Sequence, residues 1–448
     1  MDYQLNRKEF ICQLLAGTGA MMMPGCSTSH GDRLPNIVMI ISDDQGWGDY
    51  GFMGSKNINT PNLDRLAANS VVFSRGYVVA PLCGPSCASI ITGLHPHQHK
   101  TTSNDPPGMG PGVNSNTAKW PEERRKLREE VIENFKKHPA LPGELKKAGY
   151  SSLQTGKWWM GHYSNGGFTN GMTHGDMDRG GRHGDEGLKI GRETMQPLSD
   201  FLDQSGDNPF FIWYAPMLPH TPHNPPERLL SRYRDKTGSI HMARYHANCE
   251  WFDETCGQLL DMLEQRGLTE NTLILYACDN GWIQNPDKGG FAARSKRTPY
   301  EGGIRTPVMV SWPAKIKPEF DKSTVVSSID LAPTVMAACG MKIPEEMEGV
   351  DLLDRRARSS RSAVFGAAYT HDAVDINDPS SSLMYLYVIE GDWKLIMPSG
   401  RNGTGKECEL YNVVDDPGEN INLASAEIEK TKKLKERLEE WWPFKSVG

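Results

Sequence analysis

Short apolar runs, each closed by a turn and followed by a helical stretch, constrain this chain more than any other feature. "NIVMIIS" (residues 36–42) is the clearest, with hardly a polar interruption. A run of that length without alternation reads as a strand buried on both faces, the mark of a parallel sheet covered by helices. "VVFSRGYVV", "SSLQTGK", "PFFIWYAPM", "TLILYAC" and "TPVMVSWP" continue the series. Helical segments lie between them. In "TPNLDRLAANS", Thr60 is placed to cap, Pro61 fits the first turn, and Leu63 and Leu66 point inward. The fold class that follows is α/β: a large mixed, mostly parallel sheet sandwiched by helices. After about residue 360 the texture changes. "LMYLYVIEGDWKLIMPSG" reads as two antiparallel strands turning at Gly391-Asp392, and "SAEIEKTKKLKERLEEWW" as a terminal amphipathic helix. The expected division is 33–360 for the large domain and 361–448 for a small α+β subdomain.

With 448 residues, one large domain and a smaller one are expected. Forty-nine basic against 56 acidic residues, net −7, give no basic stripe and no nucleic-acid partner. Residues 1–26 read as a signal peptide: Arg7-Lys8, an apolar stretch from Phe10 to Met23, then Pro24-Gly25-Cys26. The basic pair resembles a weak twin-arginine signal, and Gly25-Cys26 a lipoprotein site, with a plain signal peptide as the other reading. The chain is therefore expected to be exported, to the periplasm or outer surface, with the membrane met only through a lipid on Cys26. The nine cysteines show no CxxC pair and no zinc spacing.

Two acidic pairs stand in the same setting. Asp43-Asp44 follows the strand "NIVMIIS", and Asp279-Asn280 follows "TLILYAC". Strand ends of an open α/β sheet line one crevice, so the pairs can converge on a hard cation; the plainer reading of each pair is a turn or cap. Cys83 stands where a strand gives way to a helix, with Pro85 in its first turn and Ser86 placed to satisfy free amides. Such a helix mouth favours an anion. A Cys83–Cys87 disulfide would be strained. "PEERRKLREEVIENFKK", between Trp120 and His138, reads as a helix with a solvated, charged face. His95, His97 and His99 alternate as in an extended segment, facing either a sugar or solvent. The loop 161–187, rich in glycine, histidine and aspartate, reads as a substrate-facing loop and not a calcium loop.

"CGPSCASIITG" resembles the signature of the type I sulfatases, of the alkaline phosphatase superfamily. "NIVMIISDDQGWGDYG", "TGKWWMG", "APMLPHTPH", "CDNG", "KRTPYEGGIRTP" and "LYNVVDDPGENINLA" resemble further marks of that family, in its order along nearly the whole chain. The resemblance implies an alkaline phosphatase-like fold and an exported sulfatase acting on sulfate esters, above all of carbohydrate or polysaccharide. It implies that Cys83 is oxidised to formylglycine by a formylglycine-generating or anaerobic sulfatase-maturing enzyme, and that the hydrated aldehyde attacks sulfur. Asp43, Asp44, Asp279 and Asn280 would hold calcium, with magnesium as the alternative, and residue 83 would complete the shell. Lys157 and Lys296 would neutralise the sulfate, and His220 would contact it or protonate the leaving alcohol.

Two positions depart from the family pattern. Cys87 stands in place of an arginine that braces the hydrate and guides maturation, and Trp159 in place of a histidine that serves as base. His162 reads as a surface histidine and not a substitute. These departures keep two other readings open: a phosphomonoester or phosphonate hydrolase of the same superfamily, and a catalytically impaired carbohydrate-binding protein.

Overall fold

The structure, a computed structural model, describes residues 33–108 and 119–444. The expected signal peptide and Cys26 lie outside them. Among the described residues no helix is long and apolar enough to cross a membrane.

The strands in chain order are β1 Asn36–Ser42, β2 Val71–Tyr77, β3 Ser151–Gly156, β4 Asn170–Gly171, β5 Phe210–Ala215, β6 Thr272–Cys278, β7 Arg305–Ser311, β8 Glu319–Ser327, β9 Val364–Tyr369, β10 Leu383–Glu390, β11 Trp393–Pro398 and β12 Glu409–Asn412. The first eight form one sheet in the order β4-β3-β5-β1-β6-β7-β2-β8. Within it only β7 runs against its neighbours. β1 is central, paired in parallel with β5 and β6. Its side chains alternate between two cores. Ile37, Met39 and Ile41 pack with the helices Cys83–Thr92, Leu141–Lys147 and Leu331–Ala338. Val38 and Ile40 pack with Pro61–Ala68, Gln196–Ser205 and Ile240–Gln265. An apolar run is needed there because both faces are dry, and each fully buried aliphatic side chain contributes about 1.5–3 kcal/mol.

The second sheet, β12-β11-β10-β9, is antiparallel, with the expected turn at Gly391 in the left-handed region (φ 56°). The helix Ile428–Trp441 covers one face through Leu434 and Leu438. The other face meets the large sheet around Tyr77, Val78 and Ile304. There the buried Lys394 ion-pairs with Glu301 (3.0 Å) and Glu419.

Several expectations need correction. The helix Glu122–Lys136 does not present only a solvated face: Arg124, Arg128, Val131, Asn134 and Phe135 are buried. Arg128 donates to the carbonyls of Asn104 (3.1 Å), Arg182 (2.7 Å) and Trp159, so main-chain oxygens meet its charge where no carboxylate is needed. The histidines after Gly93 are not extended. Pro96–His99 is a short helix closed by a His95–Gln98 capping box, and His95 and His97 pack against Trp441. There His95 is buried and His97 half-buried. Thr60 and Ser86 do not cap. The Thr60 hydroxyl bonds to Asp64 (3.1 Å), and Asp253 accepts from the Asn62 and Leu63 amides (3.2 and 2.8 Å) instead. Ser86 Oγ is buried without a partner. Cys83 and Cys87 are both free thiols.

Candidate active site

β1 and β6 are adjacent and in register, Ser42 opposite Cys278. The residues that leave those two strand ends must therefore emerge side by side. Asp44 N donates to Asp279 Oδ1 (3.2 Å), and Asn280 Nδ2 donates to Asp44 Oδ1 (2.7 Å). Asp44 itself sits at φ 62°, a left-handed conformation that costs a β-carbon-bearing residue energy and turns its carboxylate back over the strand ends.

Two lysines close on this cluster from other elements. Lys157 follows β3, and its Nζ lies 2.7 Å from Asp43 Oδ1 and 3.4 Å from Asp279 Oδ2. Lys296, from the loop before β7, lies 2.5 Å from Asp44 Oδ1 and donates to Cys83 Sγ at 3.1 Å. Cys83 is the first residue of its helix, with Leu82 as N-cap, and its thiol donates to Asn280 Oδ1 (3.3 Å). The next amide, Gly84 N, is taken by Asn104 Oδ1 (2.7 Å). His220 follows β5 and cis-Pro219. Its Nδ1 donates to the Thr221 carbonyl (2.5 Å), which leaves Nε2 directed at Asp44 Oδ2, 3.3 Å away.

All these groups are buried except the half-buried His220, so charge decides their states. Burial raises Asp43, against the pull of Lys157. Burial, and then Asp43, push Asp279 up to about 7. Burial acts on Asp44 too, but Lys296 and His220 outweigh it and hold that carboxyl well below the usual range. Burial, and then Asp279, push the Cys83 thiol up to about 12. Burial takes His220 down to about 3, although Asp44 opposes it. The imidazole is neutral at pH 7, and the thiol is not ionised.

The residues fit a hard divalent cation. Asp43 Oδ2 and Asp44 Oδ2 are buried and accept no hydrogen bond, and Asp43, Asp44, Cys83 and His220 can each turn a ligand atom to one point. The oxygen-rich donor set is that of calcium or magnesium. Charge agrees. Asp43, Asp44 and Asp279 against Lys157 and Lys296 leave one negative charge when ionised. A divalent cation converts that to one positive charge, the complement of a monoanion.

The cluster opens into a cavity of about 340 Å³. Asp44, Cys83, His220 and Lys296 line it, while Asp43, Lys157, Asp279 and Asn280 lie behind them. Sequence reasoning missed part of the wall: Asn104, Trp282, Phe291, Arg297 and His371. His371 Nδ1 donates to Asp372 Oδ1 (2.5 Å), and Nε2 accepts from Asn104 Nδ2 (3.5 Å), so both ring nitrogens are engaged. It comes from the segment after β9, a region read as peripheral, and no spacing connects it to Cys83. The glycine-histidine loop does face the cavity, through Arg182 and His183. Trp159 lines it as well, its ring faced by Arg182 (4.8 Å), Arg128 (5.7 Å) and Lys157 (5.8 Å). His162 is elsewhere, against Tyr163 and His174.

Comparison with known proteins agrees with this geometry. The sulfatase family model matches residues 35–341, and the model for the C-terminal part of N-sulphoglucosamine sulphohydrolase matches 289–442. N-acetylgalactosamine-6-sulfatase of Mus musculus is 30% identical over 362 residues, 71% of this chain and 65% of the relative. The chain thus spans about two thirds of the length of that relative. N-acetylgalactosamine-6-O-sulfatase of Bacteroides thetaiotaomicron is 22% identical over 94% of this chain and 97% of its own. Among solved structures, one in complex with its substrate D-glucosamine-2-N,6-O-disulfate superposes with a TM-score of 0.69 at 21% identity, covering 91% of this chain and 97% of that one. With the family model spanning most of the described sheet and its strand-end cluster, the chain belongs to the sulfatase family.

Proposed function

We propose that the protein is an exported sulfatase that hydrolyses sulfate esters of carbohydrates, with residue 83 as nucleophile after its conversion to formylglycine. The observation that carries this reading is the setting of Cys83. It opens a helix, touches Lys296 and Asn280, and lines a cavity whose floor is an acidic cluster. The names of the relatives, which act on sulfated amino sugars, support carbohydrate as the substrate class. The thiol itself is a poor candidate for the nucleophile, because a group raised to about 12 carries almost no thiolate at neutral pH.

A calcium ion, or magnesium, held by Asp43, Asp44, Asp279, Asn280 and residue 83 would supply positive charge for the sulfate and the nucleophile. Formylglycine at position 83, once hydrated, would supply a hydroxyl nucleophile and a second hydroxyl for release of the sulfate. The rest falls to this chain's own groups. Lys296, already against position 83, and Lys157 behind it place two ammonium charges where a sulfate's equatorial oxygens gain charge. With its Nδ1–H fixed on the Thr221 carbonyl, His220 would protonate the ester oxygen through Nε2 only as the imidazolium, the form that Asp44 favours and burial opposes, so that an alcohol leaves and not an alkoxide. Trp159 offers no base. His371, oriented by Asp372 on the cavity wall, would serve as base only by giving up the long bond (3.5 Å) that its Nε2 accepts from Asn104.

The single positive charge of the loaded strand-end cluster, where the ester would sit, favours a sulfate monoester over a phosphomonoester dianion, and this argues against the phosphatase reading. A binding protein without turnover remains the second reading because of Cys87 and Trp159. Export, and a lipid on Cys26, rest on the sequence of residues 1–26 alone. The deciding experiment is the mass of the tryptic peptide carrying residue 83, together with turnover of sulfated and phosphorylated sugars in the presence of calcium. Conversion with sulfate release supports the proposal. An unconverted thiol that binds sulfated sugar without turnover supports the binding protein, and faster release of phosphate supports the rival hydrolase.

A further inference from the structure

Arg297 combines three features that no role assigned so far explains. It lines the cavity, directly after Lys296, and its main-chain amide is pinned to the Pro81 carbonyl (2.9 Å) beside the Cys83 helix. Its backbone is at φ 70°, in the left-handed region where glycine is at ease and an arginine is strained. Its guanidinium forms no hydrogen bond or ion pair among the described residues; its one contact of note is the Phe291 ring, 5.8 Å from Cζ. Arg297 is exposed at the cavity mouth, whereas the other cations of the wall are buried and paired. Lys296 is answered by Asp44 and Arg182 by Asp105. Among the described residues Asp44, so paired, is the only carboxylate that lines the cavity. A strained, unpaired arginine at the rim of a site that has already matched a monoanion points to charge held for something else.

We propose that Arg297 forms a second anion subsite at the cavity mouth, and that the carbohydrate this site takes carries a further anionic group, a second sulfate or a carboxylate, beside the ester that is cleaved. The inference rests on the sulfatase reading. The planar fork of donors suits either group, with Phe291 steadying the guanidinium from one side. The backbone strain is tolerated because the side chain is used; glycine would hold the same loop without it.

The test uses the full chain with Cys83→Ser, which binds without turnover, in calcium at fixed ionic strength. Calorimetry compares a monosulfated sugar, the same sugar with a second sulfate, and the same sugar with a carboxylate. In this background Arg297→Gly should raise Tm, because it relieves the left-handed backbone. It should leave the monosulfated affinity within about twofold and weaken the doubly anionic ligand about tenfold or more, the loss expected for a charged hydrogen bond. The arm that loses affinity identifies the second group as sulfate or carboxylate. Equal weakening of all ligands would place Arg297 on the reacting sulfate and overturn the subsite while leaving the sulfatase reading intact. No loss for any ligand, or a fall in Tm, would overturn it as well, the latter making Arg297 a structural residue. If the Cys83→Ser protein binds none of the ligands, the reading itself fails and the subsite with it.

Discussion

Lys157 shows how much burial changes the meaning of a charge. Both it and its partners Asp43 and Asp279 are almost fully enclosed. Burial pulls an ammonium toward neutrality, yet Asp43 and the charges beyond it raise Lys157 well above its ordinary range. Lys157→Ala should therefore act twice. Turnover should fall about 10²–10³-fold through the lost transition-state charge. The metal-free protein should also lose about 3–5 kcal/mol, because buried carboxylates are left unpaired, and calcium should restore much of this; chemical denaturation with and without the ion measures it. Asp279→Ala should weaken calcium binding severely in a calorimetric titration of stripped protein. Normal affinity in that variant would mean that the strand-end oxygens are not the ligands. Cys87 is buried behind Cys83, and Asp279 and Asp43 are among the charges that act on it. Cys87→Arg would put a cation among them. The expected outcome is a larger aldehyde fraction in the peptide of residue 83 and a higher rate per aldehyde; no gain in either would make Cys87 an adaptation.

At the scale of elements, helix ends explain more than helix interiors. The helix Pro61–Ala68 is anchored from outside, by Asp253 of the long helix Ile240–Gln265. Burial raises Asp253 from 3.8 to about 6, against the Leu63 amide that lowers it. The folded state thus holds this proton more tightly than the unfolded chain. Its contribution to stability is full below about pH 4 and is lost as pH rises through about 6. The stability difference between the wild type and Asp253→Asn should therefore shrink or reverse between pH 4 and pH 7, as read from denaturant midpoints. A difference constant with pH would mean that Asp253 keeps its ordinary affinity for a proton. The helix Glu122–Lys136 teaches the converse. Its composition suggested solvent, but its arginines lie on the inward face and reach carbonyls of three separate segments.

Across the whole molecule, the two sheets share buried charge as well as apolar surface. Lys394 in β11 is fully enclosed between Glu301, at the edge of the active-site loop, and Glu419. Lys394→Met should cost about 3–5 kcal/mol, since it leaves the buried Glu419 without its cation and Glu301 with only the Arg305 guanidinium (3.4 Å), and unfolding should remain a single transition. Two separated transitions would show that the C-terminal sheet unfolds on its own.

The strands of the large sheet were legible because burial on both faces demands unbroken apolar runs, and β1, β5 and β6 have them. β8 was not, because as an edge strand it carries "EFDKSTVVS", most of it polar. β9 was missed too, being short and rich in alanine and glycine. The acidic pairs could be read as converging, since strand ends of a parallel sheet share an edge and the local sequence already ends each strand with oxygen donors. Sequence alone also determined that a thiol would open a helix, through "CGPSC" and the turn before it. What only the tertiary structure decided is which distant groups face that thiol. Strand order and register are long-range choices, made by the packing of two cores at once, and they alone bring His371 from beyond β9 and Arg297 from a strained loop to one wall of the cavity. No local propensity encodes such an encounter, because its stabilisation comes from contacts that exist only once the sheet has closed.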